Sequence, residues 1–267
     1  MNVMYIGDIM AEPGFKTVAA VLPQLKNEFQ IDFVIAQSEN ANPNGKGPGK
    51  EEIQTLQKLG IDFFSGGNHS LTGPHSEFLY SDEAMPVTRP ANLANAAGSG
   101  YKIVDTPFGK ILVASMLGQT VGKPLEITNP LDKADEILEE TKDLDLVARI
   151  INFHGDYSSE KRVFGYYLDG RFSAVIGDHW HVPTADAMIM PKGTAHITDV
   201  GMCGTLHASL GVKTQVIVDR WKSGLVSRNQ IEFDGPLQFN AVLIDIDTST
   251  GLSRSITHIQ RIIEQDD

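Results

Sequence analysis

Hydrophobic and polar positions fall into two textures along the chain. Through the first two thirds, short apolar runs alternate with stretches of helical period. "VMYIG", "DFVIAQS", "IDFFSGG", "ARIINF" and "FSAVIG" read as strands, because each is brief, rich in branched or aromatic residues and bounded by turn formers. "PGFKTVAAVLPQLKNEF", "GKEEIQTLQKLG", "KADEILEETKDL" and "SSEKRVFGYYL" read as helices. Pro23 is expected to interrupt or kink the first of them, and Gly60 to close the second. Strands alternating with helices imply parallel βαβ units and a covered sheet.

Beyond about residue 186 the texture changes. "AHITDVG", "NQIEFDG", "QFNAVLIDIDTSTG" and "SRSITHIQRII" read as strands joined by turns, with one helix at "KTQVIVDRWKSG". The expectation is an α/β fold in which a mixed sheet packs on another sheet, with helices outside. No repeat, low-complexity tract or linker divides the chain, so residues 1–267 read as one domain.

Composition narrows the picture. Hydrophobic residues make up 41% of the 267 and charged residues 21%, a balance that supports a sizeable core. The net charge is −12 and no Lys/Arg cluster occurs, which disfavours long nucleic acid as a partner. A small phosphate ester remains compatible if the local field is inverted. Cys203 is the only cysteine, so it reads as a small buried residue of a protein in a reducing cytosol. "MNVMYIGD" has no basic leader, and no apolar run is long enough for a membrane span; the reading is cytoplasmic, with no membrane partner. "ANPNGKGPGKEE" lacks the GK[ST] ending of a phosphate-binding loop and reads as a mobile loop.

The chemistry lies at the ends of the apolar runs. The first leads to Asp8, the second to Glu39 and Asn40, and the third to Asn68 and His69. "ARIINFH" ends at His154, and "SAVIGDHWH" at His179 and His181. In parallel sheets such ends share an edge, where ligands bind. Singly, Asp8 reads as a turn residue and His154 as a core histidine. Their coincidence points to one cluster of oxygen and nitrogen donors. Carboxylate, amide and imidazole suit two adjacent divalent ions, Fe, Mn or Zn over an all-oxygen Ca site, and the absence of thiolate argues against a structural zinc. Two carboxylates against two dications leave a positive surplus, which an anionic phosphate ester needs.

At this point the residues resemble a family. "GD" after the first strand, "GNH" after the third and a late "GxHxH" are similar to the calcineurin-like metallophosphoesterases. "IGDIMAEPG", "SENANPNGKG", "GGNHS", "TRPAN", "INFH", "SSEK", "DGRFSAVIG", "HWHVPTAD" and "ITDVGMCG" resemble its YmdB-like branch nearly end to end. The resemblance implies a four-layer α/β/β/α sandwich of the metallo-dependent phosphatase type, a dinuclear Fe or Mn site, hydrolysis of cyclic nucleotides (2′,3′-cyclic ones above 3′,5′-cyclic ones) and a homo-oligomer. It implies a first metal held by Asp8, Glu39, Asn40 and His181. The second would be held by Glu39, Asn68, His154 and His179, with His69 as general acid. The sequence departs from the wider superfamily at Met10, where a histidine is usual, and at Ser70, where an acid often follows.

The remaining histidines, His75, His196 and His258, read as surface or packing residues. His207 is a candidate for the pocket wall, Trp180 for narrowing the pocket, and Arg89 for a phosphate contact or a structural ion pair. Two rival readings stand beside the phosphodiesterase: a phosphomonoesterase on the same metals, and a regulatory binding protein with a vestigial site.

Overall fold

Strand runs that are apolar on both sides need cover on both faces, and here they obtain it by stacking two sheets inside two helical layers. The computed structural model describes residues 1–73, 75–121 and 126–265. One sheet contains β1 (Asn2–Ile6), β2 (Asp8–Ile9), β3 (Phe33–Gln37), β4 (Phe63–Ser65), β11 (Met202–Thr205), β12 (Leu237–Asp247) and β13 (Leu252–Ile263). The other contains β5 (Tyr101–Thr106), β6 (Gly109–Leu117), β7 (Leu146–His154), β8 (Ala174–Asp178), β9 (Met188–Ile189) and β10 (Ala195–Ile197). The helices are α1 (Ala11–Glu28), α2 (Lys50–Lys58), α3 (Ser76–Ser81), α4 (Pro130–Glu140), α5 (Ser158–Leu168) and α6 (Thr214–Ser223).

Alternation along each strand assigns residues to layers. Tyr5, Ile35, Ile150, Ile176 and Ile244 point between the sheets and form the central core. Their neighbours Ile6, Val34 and Ala36 meet Val18, Leu22 and Leu25 of α1 on the outer face of the first sheet. Ile151, Phe153 and Val175 meet Ile137 of α4 and Phe164 and Leu168 of α5 on the outer face of the second. The order is therefore α/β/β/α, the expected sandwich.

Strand direction places the site. β1, β3 and β4 run parallel, and so do β6, β7 and β8. The carboxyl ends of these two sets supply every donor the sequence singled out. β12 pairs antiparallel with β1 and β11 on one edge and with β13 on the other.

Two local expectations need correction, and one hairpin has no counterpart in the sequence reading. α1 runs unbroken past Pro23. That proline sits on the exposed face, and burying Val18, Val21, Leu22 and Leu25 outweighs one missing hydrogen bond. "NQIEFDG" forms no strand, only an isolated bridge between Val212 and Ile231, because residues 225–230 are exposed and give the segment no sheet face to cover. The hairpin of β5 and β6 was not foreseen. Its stretch 111–117 is apolar on both faces apart from Ser115, and periodicity alone does not separate such a run from a buried helix.

The end of β8 is held close to the next loop. Val200 donates its N–H to Gly177 O at 3.0 Å, and a Cβ on Gly177 would lie 1.9 Å from Thr198 O. Both partners are backbone, so neither can swing away. We expect Gly177→Ala to lower the unfolding free energy by at least about 1–3 kcal/mol, the usual cost of overpacking, as read by urea denaturation; an unchanged midpoint would contradict this close approach.

Candidate metal centre

The eight side chains selected from the sequence come together where the two parallel sets end. Asp8 follows β1, Glu39 and Asn40 follow β3, and Asn68 and His69 follow β4. His154 closes β7, and His179 and His181 follow β8. Asp8, Glu39, Asn40 and His154 are buried, while His69, His179 and His181 are partly exposed. The centre therefore has a dry floor and an open rim.

The contacts form two overlapping groups. Asn40 Nδ2 lies 3.0 Å from Asp8 Oδ1, 3.1 Å from Glu39 Oε1 and 3.3 Å from His181 Nε2. His154 Nε2 lies 2.9 Å from Asn68 Oδ1 and 3.3 Å from Glu39 Oε1. Ligand atoms of Glu39, His154 and His179 lie within 4.8 Å of one another, and the rings of His154 and His179 meet edge to face at 4.5 Å. Glu39 belongs to both groups. It also accepts the His69 N–H at 2.9 Å through Oε2 and stands 3.3 Å from His69 Nδ1 through Oε1.

The electrostatics of the centre are those of closely packed carboxylates and imidazoles. Burial and the carboxylates of Asp178 and Glu39 push Asp8 well above the usual carboxylate range. Burial alone would lower His154, but Glu39 and Asp178 hold it well above the usual histidine range. Burial would raise Glu39, yet the charge of His154 holds it well below its usual value. Burial, reinforced by His154, pushes His179 down to about 3. Burial pushes His181 down to about 4. Both imidazoles are thus neutral at physiological pH, the form that binds metals. Gly67 keeps the centre open: a Cβ there would lie 2.2 Å from Glu39 Oε2 and 2.7 Å from His154 Cε1.

Sequence reasoning missed the residues that hold this arrangement. Asp178, fully buried, accepts from Tyr5 Oη at 2.9 Å, from Gln37 Nε2 at 3.0 Å and from Asn152 Nδ2, all on Oδ2. Its Oδ1 meets His154 Nδ1 at 2.7 Å, which turns Nε2 toward Glu39 and Asn68. Lys161, also buried, donates to Asp178 O at 2.6 Å and to Asp199 Oδ2 at 2.7 Å. Asp199 Oδ2 accepts the Trp180 N–H at 2.8 Å. These bonds fix the turn in which His179 and His181 adopt positive φ of 108° and 62°, conformations that persist only where surroundings impose them. The signal was present in the sequence. Tyr5, Gln37 and Asn152 are polar residues inside apolar runs, and Lys161 shares the buried face of α5 with Phe164 and Leu168.

Other candidates fall outside the centre. Arg89 donates to the carbonyls of Pro90, Ala91, Ala96 and Ala97, so it braces a loop, and among the described residues it makes no ion pair. His207 is exposed. His196 and His258 bond backbone carbonyls, as packing residues do. The Trp180 ring lies under Lys161 Nζ, 4.1 Å from its centroid, and its Nε1 donates to Asp156 O. Cys203 is buried, and burial pushes its thiol up to about 12. No helix among the described residues is long and apolar enough to cross a membrane.

A family model described as YmdB-like protein matches residues 4–259. The chain belongs to the YmdB-like family. It is 36% identical over 268 residues to a 2′,3′-cyclic-nucleotide 2′-phosphodiesterase of Bacillus subtilis strain 168, covering 100% of this chain and 98% of that protein. The crystal structure of a novel phosphatase from Mycoplasma pneumoniae matches with a TM-score of 0.91 and 28% identity, over 99% of this chain and 94% of that one. A 5′-nucleotidase precursor from Thermus thermophilus matches with a TM-score of 0.60 at 9% identity, over 99% of this chain and 55% of that one; it shares the fold alone.

Within this YmdB-like chain, Asp178 is the residue whose loss should be felt most broadly. We expect Asp178→Asn to lower the unfolding free energy by about 3–5 kcal/mol, the usual cost of breaking a buried charged pair, as read by urea denaturation. A loss below about 1 kcal/mol, the scale of one ordinary hydrogen bond, would show that the carboxylate is not the link between the sheets.

Proposed function

We propose that this protein is a metal-dependent phosphoric diester hydrolase that opens nucleoside 2′,3′-cyclic phosphates. The observation that carries the reading is the convergence of two sheets' strand ends on one nest of buried donors, with His69 at its open rim. The donor set fits two divalent ions. Asp8, Asn40 and His181 would hold one, Asn68, His154 and His179 the other, with Glu39 shared; the two contact groups around Glu39 support this division. For Asn40 the amide oxygen would have to take the place its nitrogen occupies, a flip of the terminal group. His154 would have to yield the proton that Glu39 and Asp178 hold on it. Fe, Mn and Zn are all compatible with these donors, and the family resemblance favours Fe or Mn.

When bound, two such ions supply Lewis acidity to the phosphoryl oxygens and lower the pKa of an attacking water. The protein's part is to position and to shuttle a proton. Asp178 fixes the tautomer of His154, a task usual for carboxylates behind metal-binding histidines. Its charge also revises the balance at the site: three carboxylates against two dications leave one positive charge rather than two, still the sign that attracts a phosphate diester. Attack at phosphorus breaks the bond to a ribose oxygen, which leaves poorly as an alkoxide. His69, with Nδ1 turned to Glu39, has Nε2 free to donate the proton that converts this oxygen to a hydroxyl.

The B. subtilis relative's name supports the cyclic diester over a monoester. With Mn or Fe supplied, we expect adenosine 2′,3′-cyclic phosphate and bis-p-nitrophenyl phosphate to be hydrolysed faster than p-nitrophenyl phosphate. His69→Ala should cost roughly 100- to 10,000-fold in turnover of the cyclic nucleotide, and much less with the nitrophenyl diester, whose leaving group needs little protonation. A preference for the monoester, or inactivity on all three, would contradict the assignment, and equal losses on both diesters would contradict the role of His69.

A further inference from the structure

A cavity of about 580 Å³ opens beside His69, within the range of roughly 300–1,000 Å³ that encloses a whole small molecule. Met10 and Ile231 give it an apolar wall backed by Met202 and Val212. Lys46 and Arg228 also line it, and both are exposed. Among the described residues, neither side chain makes an ion pair or a hydrogen bond. Arg228 stands on a braced loop. Arg220 of α6 donates to Ser227 O and to Asn229 Oδ1, each at 2.8 Å, and so pins the residues on either side of it. The Lys46 backbone N–H is held by Asn44 Oδ1 at 2.9 Å. In a chain with 34 acidic and 22 basic residues, two unpartnered cations at one cavity are an arrangement that seeks an anion.

The placement of the substrate rests on the reaction proposed above. If His69 protonates the departing ribose oxygen, the nucleoside lies on the His69 side, in this cavity. A nucleoside is uncharged. Its base and sugar can use the apolar wall, and the scissile phosphate is served at the metal centre, so neither accounts for Lys46 and Arg228. With both the 2′ and 3′ oxygens in the cyclic ester, the 5′ oxygen is the ribose position left to carry a second anion. We propose that Lys46 and Arg228 form a subsite for a phosphate on the 5′ oxygen of the substrate nucleoside. The favoured substrate is then a nucleoside 2′,3′-cyclic phosphate extended by a 5′ phosphate, as a monoester or as the last linkage of a short oligoribonucleotide.

The test compares kcat/KM of the metal-loaded protein for adenosine 2′,3′-cyclic phosphate, its 5′-phosphorylated form and a dinucleotide with a 2′,3′-cyclic end. Calorimetry on the protein as purified compares adenosine 3′,5′-bisphosphate with adenosine 3′-phosphate. A charge-assisted contact is worth enough for about tenfold or more. We expect that gain in kcat/KM for at least one extended substrate and in affinity for the bisphosphate, and its loss in the K46A/R228A double variant. Whichever extended substrate gains more identifies the source as a free nucleotide or an RNA end. No gain from the added phosphate, or a gain that survives the double variant, would overturn the subsite. Inactivity on all three substrates would instead count against the proposed reaction, and the bisphosphate affinity would then decide the subsite: an affinity no higher than that for the monophosphate overturns it.

Discussion

One buried carboxylate joins the two sheets at the edge where the chemistry is assembled. Asp178 ends β8 in one sheet, and its Oδ2 receives the hydroxyl of Tyr5 and the amide of Gln37 from the other. The apolar side chains of the central core make non-directional contacts, which by themselves would tolerate small slides of one sheet on the other. Hydrogen bonds to a charged acceptor do not, since they are both stronger and directional. Tyr5 and Gln37 lie close to the ends of the strands that lead to Asp8 and Glu39. On β7, His154 is in register with Asp178 and Asn152 lies two residues before it. Fixing Asp178 therefore fixes the relative height of these strand ends.

The cost of this design is a concentration of like charge. Asp8, Glu39 and Asp178 are all buried, and burial with its carboxylate neighbours pushes Asp8 well above the usual carboxylate range. The protonated His154 offsets part of it, because it stands between Glu39 and Asp178. Lys161 adds a second buried cation, but it is committed to Asp199 and the Asp178 carbonyl and so holds the turn carrying His179 and His181. Divalent ions are the species that would neutralise the remaining carboxylates while using the neutral imidazoles at the same time.

How far the sequence was legible follows from where each signal sits. A polar residue just past an apolar run is visible in one dimension, and that is how Asp8, Glu39, Asn40, Asn68, His69, His154, His179 and His181 came to be selected together. The four-layer sandwich was legible from the resemblance and from the change of texture near residue 186. The bracing residues show in the sequence only as polar positions inside apolar runs, and their pairing does not, because the partners lie far away: Tyr5 and Asp178 are 173 residues apart, and Gln37 and Asp178 are 141 apart. Arg89 shows the converse. Its charge suggested an anion, but the guanidinium is turned to the carbonyl oxygens of the loop it begins.

The metal content of the protein and of two variants tests the dinuclear reading most directly. Elemental analysis of chains loaded with Mn or Fe should find about two ions per chain. His181→Ala and His154→Ala should each lower that to about one while the fold persists. A wild-type chain that takes up no transition metal, or a single ion lost equally in both variants, would contradict a pair of metals bridged by Glu39.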